Sequence, residues 1–255
     1  QLESPDGAVA REELIRRGIS EATWKKFRIG YAPASWSGLV DHCRDKSVSP
    51  ADAALVDVIR GRHDGSGYHD SFRHRLMFPI TDKNDRIVGF SGRLLALDAD
   101  AADELRLVDT GKYINTKETP LFHKGELLLG SNHARAEMRK KERAVLVEGN
   151  FDVLSMHEHG FTNVVAPCGT AVSEAQCRLL RRWAGNVTVF FDSDHAGHRS
   201  TRLASDLLLK SDVLVSIARP DDGTDPDDLL RAAGPVYVAK LLASAPPLPD
   251  SILYS

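Results

Sequence analysis

The chain is poor in cysteine, and its cysteines form no arrangement that carries chemistry. Cys43, Cys168 and Cys177 are its only thiols, and no two stand at the C-x-x-C spacing of a zinc ribbon or a redox motif. A Cys-based zinc module is therefore excluded from these 255 residues, and free thiols fit a reducing compartment. No apolar run approaches the roughly 18 residues of a membrane span. No leader pattern opens the sequence, and Gln1 in place of Met reads as a processed or trimmed start. Internal repeats and low-complexity blocks are missing. So is strong net charge: 33 Lys+Arg against 36 Asp+Glu leave −3. That balance neither demands nor excludes a nucleic-acid partner.

What is present is ordinary globular material, 42% hydrophobic and 27% charged, in a length that suits one large domain or two small ones. The charge is unevenly spread. Residues 1–142 carry 23 Lys+Arg and 22 Asp+Glu, and residues 143–255 carry 10 and 14. Any phosphate-binding surface is therefore a local patch, expected mainly in the first half.

The informative stretch runs from Arg143 to Leu230. Three apolar runs in it lead to carboxylates. Residues 144–147 stop at Glu148-Gly149, residues 187–191 stop at Asp192-Ser193-Asp194, and residues 213–218 lead through a short loop to Asp225-Pro226-Asp227-Asp228. Continuous β-branched and aromatic runs of this length read as strands buried on both faces. Helical patterns separate them, which predicts a largely parallel sheet. Ligands bind outside the carboxyl ends of such strands, so Glu148, Asp192, Asp194, Asp225 and Asp227 are expected to converge on one edge. Like charges so placed stay ionised together only with a cation among them. Carboxylate oxygens without Cys or His at ligand spacing select Mg²⁺ or Mn²⁺ over Zn²⁺. The chemistry implied is phosphoryl or nucleotidyl transfer. Each acid taken singly is equally well explained as turn chemistry; three strand ends together are not.

The order E-G-x-F-D-V (148–153), C-G-T-A (168–171), F-D-x-D-x-A-G (191–197) and D-P-D-D (225–228) resembles the Toprim domain shared by bacterial-type primases, topoisomerases and some nucleases. The resemblance maps Glu148 and Asp152 to the first acidic motif, Asp192 and Asp194 to the second, and Asp225 and Asp227 to the last. Asn150 stands where primases commonly carry an aromatic residue and Ser193 where they carry Gly; neither departure removes a carboxylate. Upstream, R-R-G-I-S (16–20), F-R-I-G-Y-A-P (27–33), R-H-R-L-M-F-P-I (73–80), G-F-S-G-R (89–93), K-Y-I-N (112–115) and F-H-K-G (122–125) resemble the catalytic core of bacterial-type (DnaG family) DNA primases. On composition alone, Arg73, Arg75 and Arg93 around the 76–90 hairpin read as a solvated sheet edge, with strand alternation able to place them on one side. The resemblance makes Arg75, Arg93, Lys112, Asn115 and Lys124 candidates for contacting nucleotide or template phosphates.

Local patterns fill in the rest. Residues 11–28 read as two helices, the first ended by Gly18 and the second capped by Ser20. One or two helices are expected over 36–59, a turn over 61–68, and a loop or insertion over 97–109. A helix is expected over 127–142, connecting the halves. Ser173 and Gln176 form a capping box after the Gly169 turn, where Gly lets backbone approach a phosphate. A final helix spans 235–245, and Pro246 ends the compact part.

The fold expected is α/β: a mixed α+β N-terminal subdomain (1–142), then a Toprim subdomain (143–245) with a largely parallel central sheet flanked by helices, then a tail (246–255). The resemblance implies a primase core that copies single-stranded DNA into a short RNA primer from ribonucleoside triphosphates, with Mg²⁺ or Mn²⁺ as cofactor. Glu148, Asp192 and Asp194 are then catalytic, Glu148 alternatively as general acid/base, with Asp225 and Asp227 as further metal ligands and Asp152 in support. It also implies a cytoplasmic protein at the replication fork, with a replicative helicase as partner and no membrane. The absent zinc module and helicase-docking region suggest a fragment, a phage protein or part of a primase–helicase. Two alternatives stay open: a Toprim nuclease or topoisomerase, and a non-catalytic nucleic-acid-binding module of the same fold.

Overall fold

The computed structural model describes residues 1–96, 111–169, 171–220 and 224–248. The loop expected over 97–109 lies outside the described residues, as does Thr170 of the glycine turn. Packing divides the chain into two compact units. The first gathers Gln1–Arg16, Trp24–Ile80 and Arg86–His123; the second gathers Arg17–Thr23, Thr81–Asp85 and the chain from Lys124 onward. Among the described residues no helix is long and apolar enough to cross a membrane.

The first unit is built on an antiparallel sheet. Strand β1 (Gly30–Ala32) pairs with β4 (Arg75–Thr81), Tyr31 opposite Leu76. Strand β5 (Ile87–Leu94) lies between β4 and β6 (Tyr113–Asn115). The β4–β5 connection is the expected turn: Asp82 accepts from the N–H groups of Asn84 and Asp85, and Asp85 takes the left-handed conformation. Helices α1 (Ala8–Arg16) and α2 (Glu21–Lys26) flank Gly18, whose φ of 72° is that of a helix-ending glycine. The Ser20 hydroxyl accepts from the Thr23 N–H as the cap of α2. Two short helices, α3 (Gly38–Asp45) and α4 (Pro50–Leu55), precede the small hairpin of β2 (Ile59–Gly61) and β3 (Tyr68–Asp70).

The second unit is a five-stranded sheet in the order β11-β10-β8-β9-β7. Strands β8 (Arg143–Leu146), β9 (Val164–Pro167), β10 (Asn186–Val189) and β11 (Leu214–Ile217) are parallel. Strand β7 (Leu128–Leu129) runs antiparallel on the β9 edge. This corrects the helix expected over 127–142: Gly130, at φ 78°, breaks the chain, and α5 begins only at Ser131, running to Lys141. Nor does α5 act as a connector between halves. Its Ala134 and Met138 are fully buried in the core of the second unit, to which the chain from Lys124 onward belongs.

Period-two alternation explains the layering. Ala144, Leu146, Val187 and Val189 pack with α5, α7 (Glu174–Trp183) and α8 (His195–Lys210). The intervening Val145, Val147, Thr188 and Phe190 are equally buried, so the other face is also covered, by α6 (Asn150–Glu158) and α9 (Pro226–Ser244). The final helix is longer than expected. It starts at Pro226, pre-set for a first turn, and breaks at Gly234-Pro235. The chain does not leave the compact part at Pro246 either: Pro247 bridges to Ser216, and the Leu248 N–H donates to Val215 O at 2.8 Å. That segment covers the exposed edge of β11.

Candidate active site

The strand order makes a crevice. From β8 the chain moves through α6 to β9 on one side, then returns through α7 to β10 on the other. The direction of winding reverses between β8 and β10, which is where open α/β sheets bind ligands. Glu148 follows β8 and Asp192 follows β10, and the two strands are hydrogen-bonded neighbours. Asp194 then caps α8, accepting from the Gly197 N–H at 2.7 Å, and Asp225 caps α9, accepting from the Asp228 N–H at 2.6 Å. Gly197 is required here. A Cβ at that position would collide with the carbonyl oxygen of Asp192, so only glycine lets α8 start against the strand end.

The carboxylates act on one another. Burial, and then Asp192 and Asp194, push Glu148 up to about 7. Burial, and then Asp225, Asp194 and Asp228, push Asp192 up to about 6. Asp192 therefore joins Glu148 on one side to Asp225 on the other, as convergence requires. The Asp225 carboxyl is raised by burial and by Asp228 and Asp227, against the Asp228 N–H and Arg17. Asp152 is buried, and burial followed by Asp225 and Asp192 holds its carboxyl well above the usual range. It ties two segments together, accepting from the Gly149 N–H at 2.8 Å and the Asp227 N–H at 3.3 Å.

This donor set fits a hard divalent cation. One carboxylate oxygen each of Glu148, Asp192 and Asp227 is buried without a hydrogen-bond partner, which is costly unless a cation takes it. Asp225, Asp227 and Asp228 each offer an oxygen within 4.8 Å of the others. All the donors are carboxylate oxygens, the type that suits Mg²⁺, Ca²⁺ or Mn²⁺.

Three participants carried no clear sequence signal. Arg17 forms an ion pair with Asp227, across 210 residues of chain, and lies 4.1 Å above the Phe151 ring. Ser200 hydrogen-bonds Glu148. Asp228 was visible in the D-P-D-D string but was not singled out as a ligand.

The basic candidates scatter. Arg93 and Asn115 share one face of the first unit's sheet, since Ser91 pairs with Asn115 and Arg93 with Tyr113. Arg93 is paired with Glu13 at 2.6 Å. Arg75 is on the other face, packed against Gly92, because alternation separates 92 from 93. It is fully buried and donates to the carbonyls of Gly92, Gly111 and Lys112. The expectation that Arg75 contacts phosphate is therefore corrected: its guanidinium holds the K-Y-I-N segment in place. Arg73 is buried too, 4.4 Å over the Trp36 ring. Lys112 and Lys124 are exposed. Gly169 lies beside Lys124, whose Cδ would be 3.9 Å from a Cβ there. The capping box forms as expected, with Ser173 and Gln176 exchanging hydrogen bonds.

Comparison with known proteins agrees with this architecture. A family model described as "DNA primase catalytic core, N-terminal domain" matches residues 1–135, and one described as "Toprim-like" matches residues 145–230. The DNA primase of Synechococcus elongatus is 38% identical over 255 residues, covering 96% of this chain and 35% of the relative. That of Deinococcus radiodurans is 37% identical, covering 92% and 39%. The chain thus spans a little over a third of the length of these curated relatives. Among solved structures, the Aquifex aeolicus primase (zinc-binding and RNA polymerase domains) gives a TM-score of 0.84 at 33% identity, covering 97% of this chain and 57% of that one. A DnaG primase catalytic domain bound to ssDNA gives 0.84 at 31%, covering 96% and 76%.

Proposed function

The chain belongs to the bacterial DNA primase family, and from that membership we propose that it is a catalytic core synthesising RNA primers from ribonucleoside triphosphates on single-stranded DNA. The observation that carries the reading is the crevice between β8 and β10, where Glu148 and Asp192 present buried, unpartnered carboxylate oxygens. Glu148, Asp192, Asp194, Asp225 and Asp227 would hold Mg²⁺ or Mn²⁺. The chemistry such a cation supplies is charge neutralisation on the triphosphate and acidification of the attacking 3′-hydroxyl.

The chain's own groups do the rest. As the alternative to ligation, Glu148, poised at about 7 without a cation, is matched to accepting a proton near neutral pH. Asp152 fixes the Gly149 turn and the start of α9 from behind the ligands. Arg17 orients Asp227. Lys112, Arg93 and Asn115 in the first unit, and Lys124 in the second, serve phosphate contacts, with Gly169 leaving room for a close backbone approach. A replicative helicase is the partner that would bring this activity to a replication fork.

Single-stranded template, labelled ribonucleotides and Mg²⁺ or Mn²⁺ test the reading directly. Primer is expected, and Asp192→Ala should lower its yield by about 10²-fold or more with the fold intact. Undiminished synthesis by that variant removes the metal assignment. Cleavage of the DNA in place of primer would select the nuclease reading.

A further inference from the structure

The pair that holds Arg93 lies wholly within the first unit and involves a third residue. Glu13, on α1, stands between two guanidiniums. Arg93 donates to its Oε1 at 2.6 Å. Arg16 donates to its Oε2 through Nη2 at 2.6 Å and through Nε at 3.0 Å. Both carboxylate oxygens are thus engaged by arginine. The side chains of Glu13 and Arg93 are each 12% exposed, and that of Arg16 is 60% exposed. One guanidinium is shut in with the carboxylate, and the other opens on solvent.

Stability gives a poor account of this arrangement. The Arg16 pair spans three residues of one helix with its cation in water, where such pairs contribute little. A largely buried pair such as Glu13–Arg93 gains little over apolar residues of the same volume, and α1 already buries Ala10 and Leu14. What the carboxylate does do is neutralise a cation beside a candidate binding residue, since Arg93 and Asn115 share one face of the sheet. Carboxylate and phosphate present the same kind of oxygen to a guanidinium fork. Glu13 therefore fills the place that a phosphate would take between the two arginines.

We propose that Glu13 is an internal competitor for phosphate: it closes the Arg16–Arg93 pair in the free protein, and a phosphate of template or nucleotide binds there by displacing it. Arg16, being exposed, meets the incoming phosphate first, and the exchange then passes inward to Arg93. The affinity of this site is set by how firmly Glu13 is held. The inference rests on the reading of Arg93 as a phosphate contact and adds what restrains it.

Glu13→Gln tests it, because the amide keeps the size of the side chain and loses its charge. In EDTA, anisotropy of a labelled oligothymidylate should show binding tighter by about threefold or more. The plot of log K against log salt should steepen by about 0.7, the increment for one more phosphate neutralised on a single strand. Glu12→Gln makes the same change of charge at the exposed neighbouring position and should change neither quantity. Adding Arg93→Met to Glu13→Gln should cancel the gain. Mant-GTP in the same series separates the two sources: a gain with the oligonucleotide assigns the pair to template phosphates, and a gain with mant-GTP assigns it to the nucleotide. If Glu13→Gln lowers thermal stability, Glu13→Asp, which draws the carboxylate back by one methylene, should show a smaller gain of the same sign. Unchanged or weaker binding of both probes by Glu13→Gln, an equal gain in Glu12→Gln, or a gain that survives Arg93→Met would overturn the proposal. Weaker binding in Arg93→Met with no gain in Glu13→Gln would remove the competitor and keep Arg93 as a contact. Binding that no change at either residue alters would remove both. Each outcome is read without primer synthesis, so the metal-centre reading stands or falls separately.

Discussion

Raising the pH from 5 to 8 in EDTA should destabilise the second unit, and combining Glu148→Gln with Asp192→Asn should remove the share of that loss that these two carboxyls carry. The folded state holds Glu148 at about 7 against an ordinary 4.5, and Asp192 at about 6 against 3.8. Between those limits the folded protein binds more protons than the unfolded chain, so stability falls as pH rises. The penalty is absent below the ordinary values and complete above the raised ones. At face value each displacement amounts to about 3 kcal/mol. Both carboxyls are only partly buried, and solvent screening reduces each contribution to roughly 1–1.5 kcal/mol. Together they amount to about 2–3 kcal/mol, or about 5–10 °C in Tm for a unit of this size.

Circular dichroism melts of the wild type and the double variant, in EDTA at half-unit pH steps, measure this directly. Other groups titrate in both proteins, so the difference between the two curves isolates the pair. Mg²⁺ should restore wild-type stability increasingly as pH rises, because binding to the folded state adds RT ln(1 + [L]/Kd) and the ligands must be ionised. It should do little for the variant. Parallel pH profiles for the two proteins, or a wild type that gains stability between pH 5 and 7, would refute the reasoning.

Arg17→Met should cost about 3 kcal/mol in urea unfolding, because it leaves the 1%-exposed Asp227 carboxylate without its closest cation. Gly197→Ala should destabilise by about 1–3 kcal/mol and abolish primer synthesis together, since the new methyl must displace the Asp192 carbonyl. Asp194→Asn should keep the cap of α8, with Tm changed by no more than a degree or two, while lowering primer synthesis; Asp194→Ala should lose both.

The parallel sheet and its acidic edge were legible because they depend on contiguous runs. Strands such as Val164–Pro167 are apolar on both faces, so burial shows without knowledge of partners. Turn chemistry was legible for the same reason: Gly18, the Asp82–Asp85 turn and the Ser173–Gln176 box each act within a few residues. What failed depended on long-range packing. Leu128 and Leu129 carry helix-compatible residues, yet pairing with β9 makes them a strand. Arg75 looks like its neighbours Arg73 and Arg93 in sequence; only the register that sets Gly92 against it reveals a buried role. Arg17 and Asp227 meet through tertiary folding alone, and no periodicity reports a contact 210 residues apart.

Turn chemistry and the ligand role proposed for the strand ends draw on the same side chains. Asp194 and Asp225 each give one oxygen to a helix N–H, and that bond fixes the rotamer that presents the carboxylate to the crevice. The positive ends of α8 and α9 offset part of the anionic repulsion, and Arg17 offsets more of it at Asp227. Glu148 and Asp192 cap no helix among the described residues, and theirs are the two carboxyls pushed to about 7 and about 6. Burial raises both first and the neighbouring carboxylates second, at the ends of β8 and β10 where the winding of the sheet reverses. A cation held there would offset both costs at once.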